Sequence, residues 1–254
     1  MSFFKQIVNA CYAFDKYHLL VKVSLPKVLF YLFVITVLQL IVMLMPICAE
    51  YVEKGGITGI IDKYIPEFEI KDGVFYCDKK INYVDDLADS IIIVDSDKVF
   101  DEEVFDGHML GIAVDKEKIM SRHFKTSVSY FRYFKTNGVI NKSFIYTLLP
   151  FIRLAFIVSA IIILVMAYCT TIFNSILVAF MAFLINLIIS SYIKNVEYFK
   201  LAVYVQTMPV ILQMSLYFIG VSMPSMVYIA VIGLYIYFAL KNIKKQEGMI
   251  IAVV

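Results

Sequence analysis

Three groups of side chains in this sequence have the types and spacing to do chemistry: a pair of aspartates, a scatter of histidines and cysteines, and polar residues set inside apolar runs. Asp95-Ser96-Asp97 places carboxylates two residues apart, as a calcium loop does. An EF-hand loop would continue with an oxygen ligand, a Gly and a Glu where this chain has Val99, Phe100 and Asp106. The pair is therefore expected to be a solvated turn closing a strand. His18, His108 and His123 are too scattered for a metal set, and Cys11, Cys48, Cys77 and Cys169 contain no Cys-x-x-Cys. No metal or cofactor is expected. The thiols are expected to be free, with a Cys48–Cys77 bond left open because sequence carries no geometry.

Arg153, Asn174, Asn186, Gln206 and Gln213 interrupt apolar runs, and polar groups there are candidate site residues because lipid cannot satisfy them. Arg153 lies near the start of its run, where a guanidinium can snorkel to phosphates. Asn186, Gln206 and Gln213 suit either hydrogen bonds between helices or the lining of a solute path. Gln206 and Gln213 are seven residues apart and so share one helix face. None of the apolar runs contains Asp, Glu or His, so acid–base or serine–histidine chemistry at membrane depth has no carrier. The chain is expected not to be an enzyme.

The elements that position these residues follow from composition. Of 254 residues, 61% are hydrophobic and 17% charged, against about 25% charged in soluble proteins. With a mean hydropathy of +0.81, this is too apolar for a soluble globule. Five apolar windows of bilayer length are expected to be transmembrane helices: Val28 to Cys48, Leu148 to Cys169, Ile172 to Ile193, Leu201 to Ile219, and a short one at Pro224 to Leu240. Tight turns are expected at Cys169 to Phe173 and at Gly220 to Met223. The domains are then residues 1–27, a cytoplasmic amphipathic segment; 28–48, the first span; 49–145, an extracytoplasmic β-rich domain; 146–240, a four-helix bundle; and 241–254, a tail.

Residues 1–27 show Phe3, Phe4, Ile7, Val8 and Cys11 at helical spacing with Lys5, Gln6 and Asn9 between them, which predicts a helix lying in the headgroup region with its phenylalanines in lipid. In the domain that follows, Phe68 to Lys71, Asp72-Gly73 and Val74 to Tyr76 predict a hairpin, because Asp-Gly supplies the positive φ angles of a tight turn. Further strands are expected at Ser90 to Val94, Met109 to Val114 and Val128 to Phe134. Charge divides by region: residues 50–142 carry 18 acids and 13 bases, and the remainder 3 acids and 10 bases. The only sizeable polar domain is acidic, which argues against a nucleic-acid partner. The basic flank of the first span puts the N-terminus in the cytoplasm. Five crossings then send Lys241, Lys244 and Lys245 outside, against the same rule.

The opening Phe3-Phe4-Lys5-Gln6 with Tyr12, the segment Ile65-Pro66-Glu67-Phe68-Glu69-Ile70-Lys71-Asp72-Gly73, the strand Ile91 to Asp95, and Lys200 to Tyr204 leading to Pro209 resemble the domain-of-unknown-function 1189 family of bacterial membrane proteins. Some members are described as maltodextrin-utilisation proteins. The resemblance implies a multi-pass protein of a bacterial plasma membrane. It also suggests distant kinship with the five-span Rab-interacting Golgi proteins, which act as adaptors. Where the family has paired prolines near Pro209, this chain has Thr207-Met208 before a single proline. The expected fold is an α-helical integral membrane protein with about five transmembrane helices and a small β domain between spans one and two. The expected function is that of a non-enzymatic accessory or adaptor in the lipid bilayer, with a membrane-protein partner or as a homo-oligomer. The alternatives are a small-solute transporter using Arg153, Asn186, Gln206 and Gln213, or an extracytoplasmic ligand sensor.

Overall fold

The computed structural model describes residues 2–85, 89–133 and 139–251. In chain order the elements are α1 (Phe3–Tyr12), α2 (Tyr17–Leu20), α3 (Leu25–Glu53) and α4 (Gly56–Tyr64); β1 (Phe68–Lys71), β2 (Val74–Cys77), β3 (Ile81–Asp85), β4 (Ser90–Val94), β5 (Leu110–Val114), β6 (Lys118–His123), β7 (Lys125–Tyr130) and β8 (Ile140–Asn141); then α5 (Lys142–Ile189), α6 (Asn195–Val205), α7 (Thr207–Phe218) and α8 (Ser225–Ile251). The chain forms two compact units, residues 49–156 and residues 1–48 with 157–254. The protein is mostly helical. Among the described residues, four helical stretches are long and apolar enough to cross a membrane: α3, α5, α6 with α7, and α8.

This departs from the expectation of five. The turn expected at Cys169 to Phe173 is absent, and the windows at Leu148 and Ile172 are one helix of 48 residues, roughly 72 Å long at about 1.5 Å per residue. The stretch Cys169 to Phe173 contains no Gly or Pro to break the helix. Thr170 and Thr171 donate their hydroxyls to the carbonyls of Met166 and Ala167, at 2.9 and 2.8 Å, so their polarity is absorbed along the helix. The window at Leu201 corresponds to α6 with α7. The last window corresponds to α8, which continues past Leu240. Of the C-terminal tail, residues 252–254 lie outside the described residues.

In the β unit, β3-β4-β5-β6-β7 form one sheet and β2-β1-β8 a second. The Asp72-Gly73 hairpin forms as expected, with φ of 51° and 79° at its two corner residues. Gly73 is required twice over, since a Cβ there would come within 2.9 Å of Arg132 Cα. The expected strands at Ser90 and Met109 appear as β4 and β5, and they pair in parallel, Ile92 opposite Ile112. The expected strand at Val128 is the end of β7, followed by a 3-10 turn over Phe131–Tyr133; Phe134 lies outside the described residues. Ile91, Phe105, Ala113 and Met120 form the small core on one face of the larger sheet. Phe105 sits on Gly111, where an added Cβ would lie 2.4 Å from the ring.

Two aspartates hold the ends of these strands. Asp95 Oδ1 accepts from the Asp97 amide at 3.0 Å, and Lys80 reaches Asp95 and Asp97 at 3.2 and 2.8 Å. A lysine therefore occupies the place a cation would take, and the segment is the turn that was expected. Asp115, fully buried, accepts from the amides of Phe100, Glu117 and Lys118. A buried carboxylate is stable when backbone donors surround it in this way.

The helical unit buries Tyr17, Leu20, Val28, Tyr31, Leu201 to Val205, Ile236 and Leu240 among others. The N-terminal helix forms as expected, with its Gln6 and Asn9 turned into the bundle. Gln6, Asn9, Ala10 and Cys11 are buried, while Phe4, Val8 and Tyr12 are exposed. The reason lies far along the chain: Tyr204 donates to Gln6 Oε1 at 2.7 Å, and Tyr235 donates to the Cys11 carbonyl at 2.9 Å. Polar partners inside the bundle turn the polar stripe inward. Burial pushes the Cys11 thiol up to about 11, so it remains protonated and inert near neutral pH.

Candidate functional site

The interruption between α6 and α7 has a local cause. Pro209 carries no amide hydrogen to give to the Val205 carbonyl four residues back. At the junction, Gln206 turns its own side chain to the backbone, donating from Nε2 to the Ala202 carbonyl at 2.9 Å and to Ser175 Oγ at 3.1 Å. Ser175 in turn donates to the Thr171 carbonyl at 2.9 Å, so the junction is tied to α5. On the other side, Tyr31 of α3 meets Thr207, the first residue of α7.

Beside this junction lies a cavity of about 540 Å³, lined by α3, α5, the α6–α7 junction and the start of α8. Its polar lining comes from hydroxyls and amides, and it contains no Asp, Glu, Lys, Arg, His or Cys. Thr36, Thr170 and Thr171 donate to carbonyls four residues back in their own helices, so towards the cavity they offer oxygen lone pairs. Gln39, Asn174 and Gln213 have no hydrogen-bond partner among the described residues. Each amide offers both a donor pair and an acceptor. The surface can therefore match hydroxyls and amides of a small molecule, and it has no charge to neutralise.

The candidate residues separate cleanly. Gln206 and Gln213 share the cavity, as does Asn174. Asn186 does not line it: its amide donates to the Ser191 carbonyl at 2.9 Å and the Tyr198 hydroxyl at 2.7 Å, and its Oδ1 accepts from the Ser191 amide at 3.0 Å. That clamp closes the α5–α6 connection, in which Ser190 takes a positive φ of 57°. Arg153 is exposed and belongs to the part of α5 grouped with the β unit, so it takes no part in the cavity. Sequence reasoning passed over Tyr31, Thr36 and Gln39, although Gln39 is the single amide in the first apolar run. Among the described residues no group of three or more His, Cys, Asp or Glu is placed to hold a metal ion, and the four cysteines are free thiols.

Fold and cavity together define the class: a bundle of apolar helices around an uncharged polar cavity, with a β-sheet domain following the first long helix. The chain belongs to the family described as protein of unknown function DUF1189, which it matches over residues 4–240. No curated protein and no solved structure matches the chain.

Proposed function

We propose that this is a four-span protein of the bacterial plasma membrane whose helix bundle binds a small uncharged polar solute. The observation that carries this reading is the uncharged hydroxyl- and amide-lined cavity at the interrupted helix. Discontinuous helices with freed backbone groups are where membrane transporters build solute sites. The lining has no acid–base pair and no thiol, which supports binding rather than catalysis.

Charge supports the membrane reading. With four crossings, Lys5, Lys16, Lys22 and Lys27 before α3, Lys194 and Lys200 around the start of α6, and Lys241, Lys244 and Lys245 late in α8 all fall on one side, the cytoplasm. The acidic β domain falls on the other. The conflict created by five spans disappears.

Cysteine substitution in a cysteine-less background tests the cavity. Gln39→Cys and Gln213→Cys react with a small water-soluble thiol reagent, and Ile41→Cys, exposed on α3 but outside the cavity lining, does not. Absence of labelling at both cavity positions, meaning that lipid fills the space, removes the solute reading.

A second reading, the membrane adaptor, is favoured by α5. From Leu154 to Ile189 it carries no charged residue, a length of roughly 54 Å. A hydrocarbon core of about 30 Å covers only roughly 39 Å of helix even at a steep tilt of about 40°. Ile157, Ile161 and Ile162 are each more than half exposed. Another protein's transmembrane helix would cover the excess. A photo-crosslinker at Ile161 in native membranes captures such a partner at stoichiometric yield; lipid adducts alone argue against the adaptor. The Gln206→Leu, Gln213→Leu double variant separates the two readings in a deletion strain, losing complementation if the cavity is used and keeping it if docking is the function.

A further inference from the structure

A second cavity, of about 260 Å³, lies in the helical unit where the chain end of α2, the α5–α6 connection and the late part of α8 converge. Its chemistry is the opposite of the first. Lys22 and Lys194 line it with His18 and Gln246, and neither lysine has a carboxylate within ion-pair distance among the described residues. The one carboxylate in the lining, Glu197, is engaged as a helix cap, its Oε2 accepting from the Lys194 amide at 3.0 Å. His18 holds its Nδ1 2.6 Å from the Asp15 carbonyl. A carbonyl can only accept, so Nδ1 carries the hydrogen.

Three other lysines at this end are engaged elsewhere. Lys244 donates to the Ile189 carbonyl at 2.6 Å, Lys241 lies over the Tyr237 ring, and Lys16 pairs with Asp15. Lys22 and Lys194 converge on one space although the chain separates them by 172 positions. The walls between them are apolar: Val21 and Ile243 are each 3% exposed.

We infer that this cavity binds a phosphate group, either the headgroup of an anionic phospholipid or free phosphate. Two ammonium groups and an imidazole facing one space suit a compact, multiply charged tetrahedral anion. The adjoining apolar wall gives a glycerol or acyl segment a surface to lie against. The site is chemically separate from the uncharged cavity, and neither depends on the other.

The full-length protein, stripped of lipid in non-ionic detergent, provides the test through its melting temperature. Phosphatidylglycerol is added in mixed micelles, with phosphatidylcholine as the zwitterionic control and inorganic phosphate as the free anion. Phosphatidylglycerol raises the melting temperature more than phosphatidylcholine does. Each lysine contributes about fivefold in affinity for an anionic surface, so Lys22→Gln with Lys194→Gln weakens phosphatidylglycerol binding about 25-fold. Lys22→Arg with Lys194→Arg keeps binding within a few-fold, and Lys5→Gln, which removes one positive charge from α1 outside the cavity, leaves it unchanged. A response to phosphatidylglycerol alone assigns the site to lipid; a response to inorganic phosphate as well assigns it to the phosphate group itself. Equal responses to the two lipids, or a phosphatidylglycerol response that survives both Gln substitutions, overturn the proposal.

Discussion

The hydroxyl of Tyr31 lies 2.8 Å from Oγ1 of Thr207, joining α3 to the first residue of α7 across 176 positions of sequence. Both residues are buried, and the Tyr31 ring also packs against Tyr204 at 5.0 Å and Phe3 at 5.4 Å. One side chain thus ties the helix interruption, the N-terminal helix and the cavity wall together. Tyr31→Phe and Thr207→Val each reduce stability by about 1 kcal/mol, the net worth of one buried hydrogen bond. Because each removes the same bond, the double variant loses little more than either single one. Equilibrium unfolding in detergent micelles measures this cycle, and fully additive losses would show that the bond carries no energy.

Gly111 is tight for a different reason. An alanine Cβ would meet Phe105 at 2.4 Å and Ile91 at 3.0 Å, within the core of the β unit. Gly111→Ala is expected to destabilise that unit by about 1–3 kcal/mol, as overpacking does. Limited proteolysis should then cut within residues 78–130 faster than in the wild type. Phe105→Leu in the same chain, by making room, restores part of the resistance.

Asp115 predicts a graded pair of variants. Asp115→Ala strands three backbone amides and is expected to cost about 3 kcal/mol or more. Asp115→Asn keeps one accepting oxygen, which can serve Glu117 and Lys118, and loses the bond to Phe100. Thermal melting should place it between Ala and wild type.

The Asp95 carboxyl is held below the usual carboxylate range, first by the Asp97 amide and then by Lys80. Its pKa is lower folded than unfolded, so its contribution to stability is full above the ordinary aspartate value, about 3.9, and fades as pH falls through the depressed folded value. Lys80 is shifted upward by Asp97 and Asp95, so its share is full below the ordinary lysine range and fades in strong alkali. The melting-temperature gap between wild type and Asp95→Asn should be constant from about pH 5 to pH 9 and close in acid. A gap independent of pH down to about pH 2 contradicts this assignment.

In the topology proposed above, the four helical stretches long and apolar enough to cross a membrane put both termini on one side. A fluorescent protein that matures only in the cytoplasm should therefore glow when fused after Val254, and an impermeant thiol reagent should reach Cys77 in intact cells. A dark C-terminal fusion with normal expression would restore the five-span topology.

What the sequence reveals here depends on how local the cause is. The Asp72-Gly73 hairpin is legible because the turn itself demands positive φ. β4 is legible because Ser90 to Val94 is a short apolar run closed by turn residues. The existence of α1 is local too, but its orientation is set by Tyr204 and Tyr235, some 200 residues away. Thr170-Thr171 resembles a break between spans only if the hydroxyls are assumed to need partners outside the helix. Gln206 and Gln213 stand out as amides in apolar surroundings. Tyr31 and Thr36 do not, because nothing in the first apolar run says which of its faces meets α7.

The parallel pairing of β4 with β5 has a consequence for the order in which the β unit folds. β3–β4, β5–β6 and β6–β7 are antiparallel neighbours close together in sequence, so each closes a short loop at little entropic cost. β4 and β5 can meet only after residues 95–109 have looped back over the sheet. That closure becomes favourable when Phe105 lands on Gly111 and Asp115 captures the Phe100 amide. The topology thus predicts that the crossover is the slow closure and that the transition state is organised around it. Truncating Phe105 should slow refolding, while truncating Val84 at the β3 edge should mainly speed unfolding.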